Sequence, residues 1–168
     1  MKLVKDQESL LAQLPVEAYV EHVQGDKMLP EPDQAFAVSV FDAWLGKARY
    51  HELDCDEAEQ ARRNEQHNNF CHLLRENYEV FAIRWSEVGE PAVPILYEFS
   101  SEAEFQKFTD AHDIERSGSD FFILAVPALG CIYDQNWDDT NVLWFSPQTG
   151  TRCLEELISR AGLHIIQY

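Results

Sequence analysis

Five short runs of β-forming residues, each bounded by turn signals and all lying after one long helical pattern, limit this chain to few architectures. Val80–Trp85, Val93–Phe99, Phe121–Val126, Leu129–Tyr133 and Val142–Phe145 are rich in valine, isoleucine, leucine and aromatics, the composition of strands in a pleated, buried surface. Gly89-Glu90-Pro91 separates the first two as a hairpin turn, and Pro94 places the start of the second near a sheet edge. The last three read as a meander. A helix between them begins at Ser101, where Ser101 and Glu104 have capping-box spacing, and continues through Phe105, Phe108 and Ala111 or His112 until Ser117-Gly118-Ser119.

Before the strands, Asp54–Asn77 reads as one long helix. Asp54 is expected to cap the amide of Glu57 while Glu57 reaches back, and Ala58, Ala61, Phe70, Leu73, Leu74 and Tyr78 recur at helical spacing. Its first half, with Asp56, Glu57, Glu59, Gln60, Arg62 and Arg63, is polar all round, so that half is expected to face solvent or a partner while only the second half is anchored. Leu10, Leu11, Leu14 and Ala18 suggest helix near the N-terminus, split by Pro15 into two short pieces. Gly25–Pro32 is a loop, and Ala35–Leu45 reads as either an apolar helix or an early strand. At the other end, Pro147–Gly150 makes a turn, Thr151–Arg160 a helix stopped by Gly162, and Leu163–Ile166 a closing strand.

The expected fold is therefore α+β, a mainly antiparallel sheet packed with helices in a single domain over residues 1–168: a helical N-terminal part (1–50), the long helix (54–78) and a sheet with two helices (80–168). A chain of 168 residues that is 45% hydrophobic can bury one core of that kind.

Charge narrows the choice of partner. Thirty acidic against 13 basic residues leave a formal net charge of -17, a field that repels nucleic acid and anionic membrane and draws in basic proteins. The first residues turn polar at once and no stretch reaches the roughly 18 apolar residues of a membrane span, so a cytosolic protein is expected. Cys55, Cys71, Cys131 and Cys153 contain no Cys-x-x-Cys pair and are expected to be reduced thiols.

Tyr133-Asp134-Gln135-Asn136-Trp137-Asp138-Asp139-Thr140-Asn141 is the densest polar segment. Asp134, Asn136 and Asp138 open like a calcium loop, but position six is Asp139 rather than glycine and position twelve is Phe145 rather than glutamate. No cofactor or metal is expected there. Trp137 amid acids is of a type enriched in binding hot spots, with folding back over the sheet as the alternative. His51-Glu52-Leu53-Asp54-Cys55 has a cysteine where a metalloprotease motif needs its second histidine, and it precedes the helix. His67 and Cys71, four residues apart, could pair as base and thiolate, but Phe70, Leu73 and Leu74 around them favour a core position. No phosphate-binding loop, dinucleotide fingerprint or nucleophile elbow occurs.

Whole-chain character, with stretches such as Tyr97-Glu98-Phe99-Ser100-Ser101-Glu102-Ala103-Glu104-Phe105 and Val142-Leu143-Trp144-Phe145-Ser146-Pro147-Gln148-Thr149-Gly150, resembles the small acidic immunity proteins that bacteria keep in the cytosol against toxins. That resemblance implies a non-enzymatic protein that occludes a cognate, basic toxin. The expected partner-binding residues are Asp134, Trp137, Asp138 and Asp139 in the acidic loop and Asp54, Asp56, Glu57 and Glu59 at the head of the long helix. The alternatives are an adaptor domain or an enzyme with an unrecognised carboxylate or Cys/His site.

Overall fold

The computed structural model describes residues 1–25, 33–86, 93–110, 121–136, 139–146 and 150–168. Among the described residues, one antiparallel sheet carries eight strands: β1 (Lys2–Leu3), β2 (Ala35–Ser39), β3 (Phe81–Trp85), β4 (Pro94–Glu98), β5 (Ile123–Val126), β6 (Cys131–Asp134), β7 (Thr140–Phe145) and β8 (His164–Ile166), in the spatial order β1-β4-β3-β5-β6-β7-β2-β8. Helices α3 (Glu57–Asn77), α4 (Glu102–Thr109) and α5 (Arg152–Arg160) supply Phe70, Leu74, Phe105, Leu154 and Ile158 to the core on one face. The short α1 (Gln7–Leu11) and α2 (Val16–Gln24), separated by Pro15, cover the other face with Leu10, Leu11 and Tyr19, joined by Leu14 from the turn between them.

Because both faces are covered, the central strands are apolar at successive positions rather than alternately. In β6, Cys131 and Tyr133 point to the α3 side and Ile132 to the α2 side; in β7, Leu143 and Trp144 divide in the same way. Those continuous runs left 35–45 readable as helix or strand. Ala35–Ser39 is a strand, every residue of it buried, between β7 and β8. The first 50 residues are thus not simply helical: they add β1 and β2 to the sheet, plus a 3-10 helix at Lys47–Glu52.

The sheet edge at β4 is closed without a long strand. β1 pairs only with Tyr97 and Glu98; at Leu96 the Gln7 carboxamide takes over, accepting from the amide and donating to the carbonyl, each at 2.8 Å. Two residues further on, Pro94 has no N–H to offer, which blunts the edge against pairing with another chain.

The start of α3 differs from expectation by two residues. Asp56 is the cap, accepting from the Glu59 amide at 2.9 Å, and Asp54 precedes it in the connection from the 3-10 helix. Ser101 caps α4 as expected, accepting from the Glu104 amide at 3.1 Å, while the Glu104 carboxylate reaches back to the amide of Ser100 at 2.7 Å. Gly162 ends α5 in the left-handed region at φ +76°. The expected turns at Gly89–Pro91 and Ser117–Ser119, with Ala111 and His112, lie outside the described residues, as do 26–32 and 147–149 of the other two.

Candidate functional site

The polar first half of α3 is anchored at one residue, contrary to expectation: Arg63 is buried, as are Asn64 and His67 beyond it. Arg63 is the hub. Its Nε donates to Glu59 Oε1 at 2.9 Å, Nη1 to Asp139 Oδ2 at 2.9 Å and Nη2 to the Glu52 carbonyl at 2.8 Å, and its guanidinium carbon lies 5.0 Å from the centre of the Phe41 ring. One side chain thereby ties together α3, the 3-10 helix, the segment after β2 and the end of the β6–β7 connection. The planar fork of arginine makes those divergent bonds available; a lysine could not replace it.

Asp139 meets α3 from above. It holds φ +53°, a conformation that aspartate tolerates better than most residues. Oδ1 accepts from Gln60 Nε2 at 2.9 Å, and the Asp139 carbonyl accepts from His67 Nε2 at 3.1 Å. On the other side of the imidazole, Asn141 Nδ2 donates to Tyr133 Oη at 2.7 Å, so the Tyr133 proton is directed to His67 Nδ1 at 3.0 Å. Burial holds the His67 pKa below its ordinary value, the nearby Asp139 only partly opposing this. The imidazole is neutral and engaged at both nitrogens. Cys71 is fully buried, which pushes its thiol up, and Cys131 is pushed up to about 12 by the same cause. His67 and Cys71 are core residues rather than a base and nucleophile.

Above this buried set lies an open cleft of about 630 Å³ lined by Phe41, Asp42, Arg49, Asp54, Asp56 and Glu59, among others. Arg49 clamps Glu52 through Nε at 2.6 Å and Asp42 through Nη1 at 3.1 Å, and its bonds hold both carboxyls below their ordinary values. Glu59 is lowered to about 2, by Arg62 first and then Arg63. Asp54 and Glu57 are exposed and carry no ion pair among the described residues. On the adjoining segment, Trp44 is 49% exposed and Tyr50 53%. Trp44 is nevertheless held in place: its Nε1 donates to the Gln167 carbonyl at 2.9 Å and its ring packs on Tyr168.

The two expected acidic clusters are therefore regrouped. Asp54, Asp56, Glu57 and Glu59 do share one end of α3, and Asp139 joins them through Arg63 and Gln60. Asp134 does not. Strand alternation sends it to the opposite face of the sheet from Tyr133, where Tyr19 of α2 donates to its Oδ2 at 3.1 Å. Burial pushes the Asp134 pKa up to about 7, the bond from Tyr19 only partly opposing it. The half-buried Asp134 therefore faces α2 rather than the cleft lined by Asp54, Asp56 and Glu59. Its bond to Tyr19 likewise turns it away from calcium-loop geometry. Trp137 and Asp138 lie outside the described residues.

Sequence reasoning missed Arg63 as a structural hub and Trp44 and Tyr50 as surface aromatics. The only available signal for the aromatics was their place in Trp44-Leu45-Gly46-Lys47-Ala48-Arg49-Tyr50, too short and mixed for a buried element. His51 is exposed, with Nδ1 3.1 Å from the Ala48 carbonyl, and no group of three or more metal-ligating side chains occurs among the described residues. No helix of the described residues is long and apolar enough to cross a membrane. Comparison with family models, curated proteins and solved structures finds no match for this chain.

Proposed function

We propose that this protein is a cytosolic immunity protein that binds and occludes a basic bacterial toxin, using the acidic head of α3. One observation carries this reading: the exposed acids Asp54 and Glu57, which carry no ion pair among the described residues, stand at the head of α3, where Asp54, Asp56 and Glu59 line a cleft together with the locked Arg63, and the segment after β2 exposes the aromatics Trp44 and Tyr50. Tryptophan and tyrosine are the residue types that dominate binding hot spots. The acids and the net charge of -17 would accelerate encounter with a basic protein, and a floor already locked by hydrogen bonds leaves little ordering cost on association.

Occlusion requires no chemistry from this chain, which agrees with the inert positions of His67, Cys71 and Cys131. The test is binding to the product of any adjacent toxin-like gene by wild type and by Asp54→Lys/Glu57→Lys. Both side chains are exposed, so the variant folds normally, and its dissociation constant rises by roughly 30-fold or more, about 2 kcal/mol. Unchanged affinity would remove the α3 head from the interface.

A further inference from the structure

The end of the β6–β7 hairpin touches a helix on each face of the sheet, and each contact is built around a titratable side chain. On one face Asp134, the last residue of β6, receives the Tyr19 hydroxyl from α2 at 3.1 Å. Tyr168 from the C-terminal tail is the other titratable group facing it, and proximity to Asp134 adds to the burial that raises the Tyr168 pKa. His22 lies one turn further along α2, its ring 4.9 Å from that of Trp144 in β7. On the other face His67 of α3 sits between Tyr133 of β6 and the carbonyl of Asp139. Asn141 of β7 completes that contact, and the charged groups around it are Arg63, one turn away on α3, and the Asp139 carboxylate that Arg63 neutralises at 2.9 Å. No cationic side chain contacts Asp134 among the described residues.

We propose that the β6–β7 hairpin is a two-sided pH-responsive fastening, in which rising pH loosens α2 from one face of the sheet and falling pH loosens α3 from the other.

The signs follow from which state holds the proton. Asp134 has an ordinary value of 3.8 and is raised to about 7 in the folded protein. Between those values the closed contact keeps a proton that the opened one releases, so its stability is greatest near pH 4 and is lost as pH climbs to about 7, beyond which the slope ends. His67 has an ordinary value of 6.5 and a lower one when folded. The opened state then takes up a proton that the closed state refuses, so this contact is strongest above pH 6.5 and weakens as pH falls below it. Protonation would also place a second donor on Tyr133 Oη, which already accepts from Asn141 at 2.7 Å. Hairpin and helices thus form a device whose two halves answer to opposite changes, whether or not a partner is bound.

Residue-resolved hydrogen exchange on the full chain from pH 4.5 to 8, corrected for intrinsic rates, separates the halves. Protection of amides in α2 falls with rising pH to about pH 7, at up to about tenfold per pH unit, the ceiling for one proton. Amides around His67 in α3 lose protection as pH drops below 6.5. Asp134→Asn flattens the α2 response and leaves that of α3; His67→Gln does the reverse. Should His67→Gln not fold, the imidazole titration of the wild type by NMR serves instead, a midpoint below 6.5 supporting the proposal and one at or above it overturning the α3 half. An α2 slope that survives Asp134→Asn, or two helices that respond in the same direction, overturns the fastening as a whole.

Discussion

Replacing Arg63 by methionine tests whether the cleft floor is held by charge or by packing. The Arg63 side chain is 6% exposed and the Asp139 side chain 13%, so removing the guanidinium strands a carboxylate in a largely dry site. Methionine retains most of the contact with Phe41, which isolates the electrostatic part. Breaking one partner of a buried pair costs about 3–5 kcal/mol. Glu59 is more exposed, at 33%, and keeps Arg62 at 2.7 Å, so it adds little; the expected loss is about 3–4 kcal/mol, near the low end of that range. Urea unfolding followed by circular dichroism gives this directly as a lower midpoint at unchanged slope.

The double variant Arg63→Met/Asp139→Asn sharpens the test. Asparagine tolerates the left-handed backbone at φ +53° and can still accept from Gln60 Nε2, but it carries no charge to be left alone. The pair should therefore recover at least about 1.5 kcal/mol of the single-variant loss as coupling. A single-variant cost below about 1 kcal/mol, or coupling under about 0.5 kcal/mol, would show that packing rather than the ion pair fixes the floor.

Three further outcomes follow from individual contacts. Tyr133→Phe removes the hydroxyl between Asn141 and His67; it should cost about 1–3 kcal/mol in the same urea assay, with buried partners left unsatisfied. Gly162→Ala forces a side chain into φ +76° and brings its Cβ to 2.8 Å from Gln66 Nε2, so the melting temperature should drop by an amount equivalent to about 1–2 kcal/mol. Trp44→Ala, at a half-exposed position, should change stability by less than about 1 kcal/mol yet weaken partner binding at least tenfold in a titration; a large stability loss with unchanged affinity would make its packing on Tyr168 the whole of its role.

What could be read from the sequence depended on whether a segment's surroundings are reflected in its own residues. β3 to β7 were legible because β-formers cluster between turn signals, and α1 and α2 because Pro15 interrupts a helical stripe. Ala35–Ser39 was ambiguous because a strand buried on both faces has no alternation to show. The cap of α3 slipped from Asp54 to Asp56 because both are aspartates with an acidic residue three positions on, and either could have begun the helix. Arg63 looked solvated since composition assigns arginine to the surface; its burial, with that of Asn64 and His67, depends on Asp139, Tyr133 and Asn141, some 70 residues away.

The candidate site was half legible for a similar reason. Asp54, Asp56, Glu57 and Glu59 fall together because one helix end collects them. Asp134 and Asp139 looked like members of one loop but belong to opposite faces of the sheet. Strand parity was the signal that could have parted them: once Tyr133 is assigned to the α3 core, its neighbour Asp134 must face the other way. No such rule reveals Trp44 and Tyr50, whose exposure is set by how the segment after β2 packs around Arg49 and the C-terminal tail.

The most direct test of the proposed function is capture of partners by the tagged protein in its native host, run beside Asp54→Lys/Glu57→Lys and Asp134→Asn. The account predicts a stoichiometric basic protein that copurifies with wild type and with Asp134→Asn, is lost with the charge-reversed variant, and is encoded beside this chain's gene. Wild type emerging without any such partner, or one retained equally by the charge-reversed variant, would contradict it.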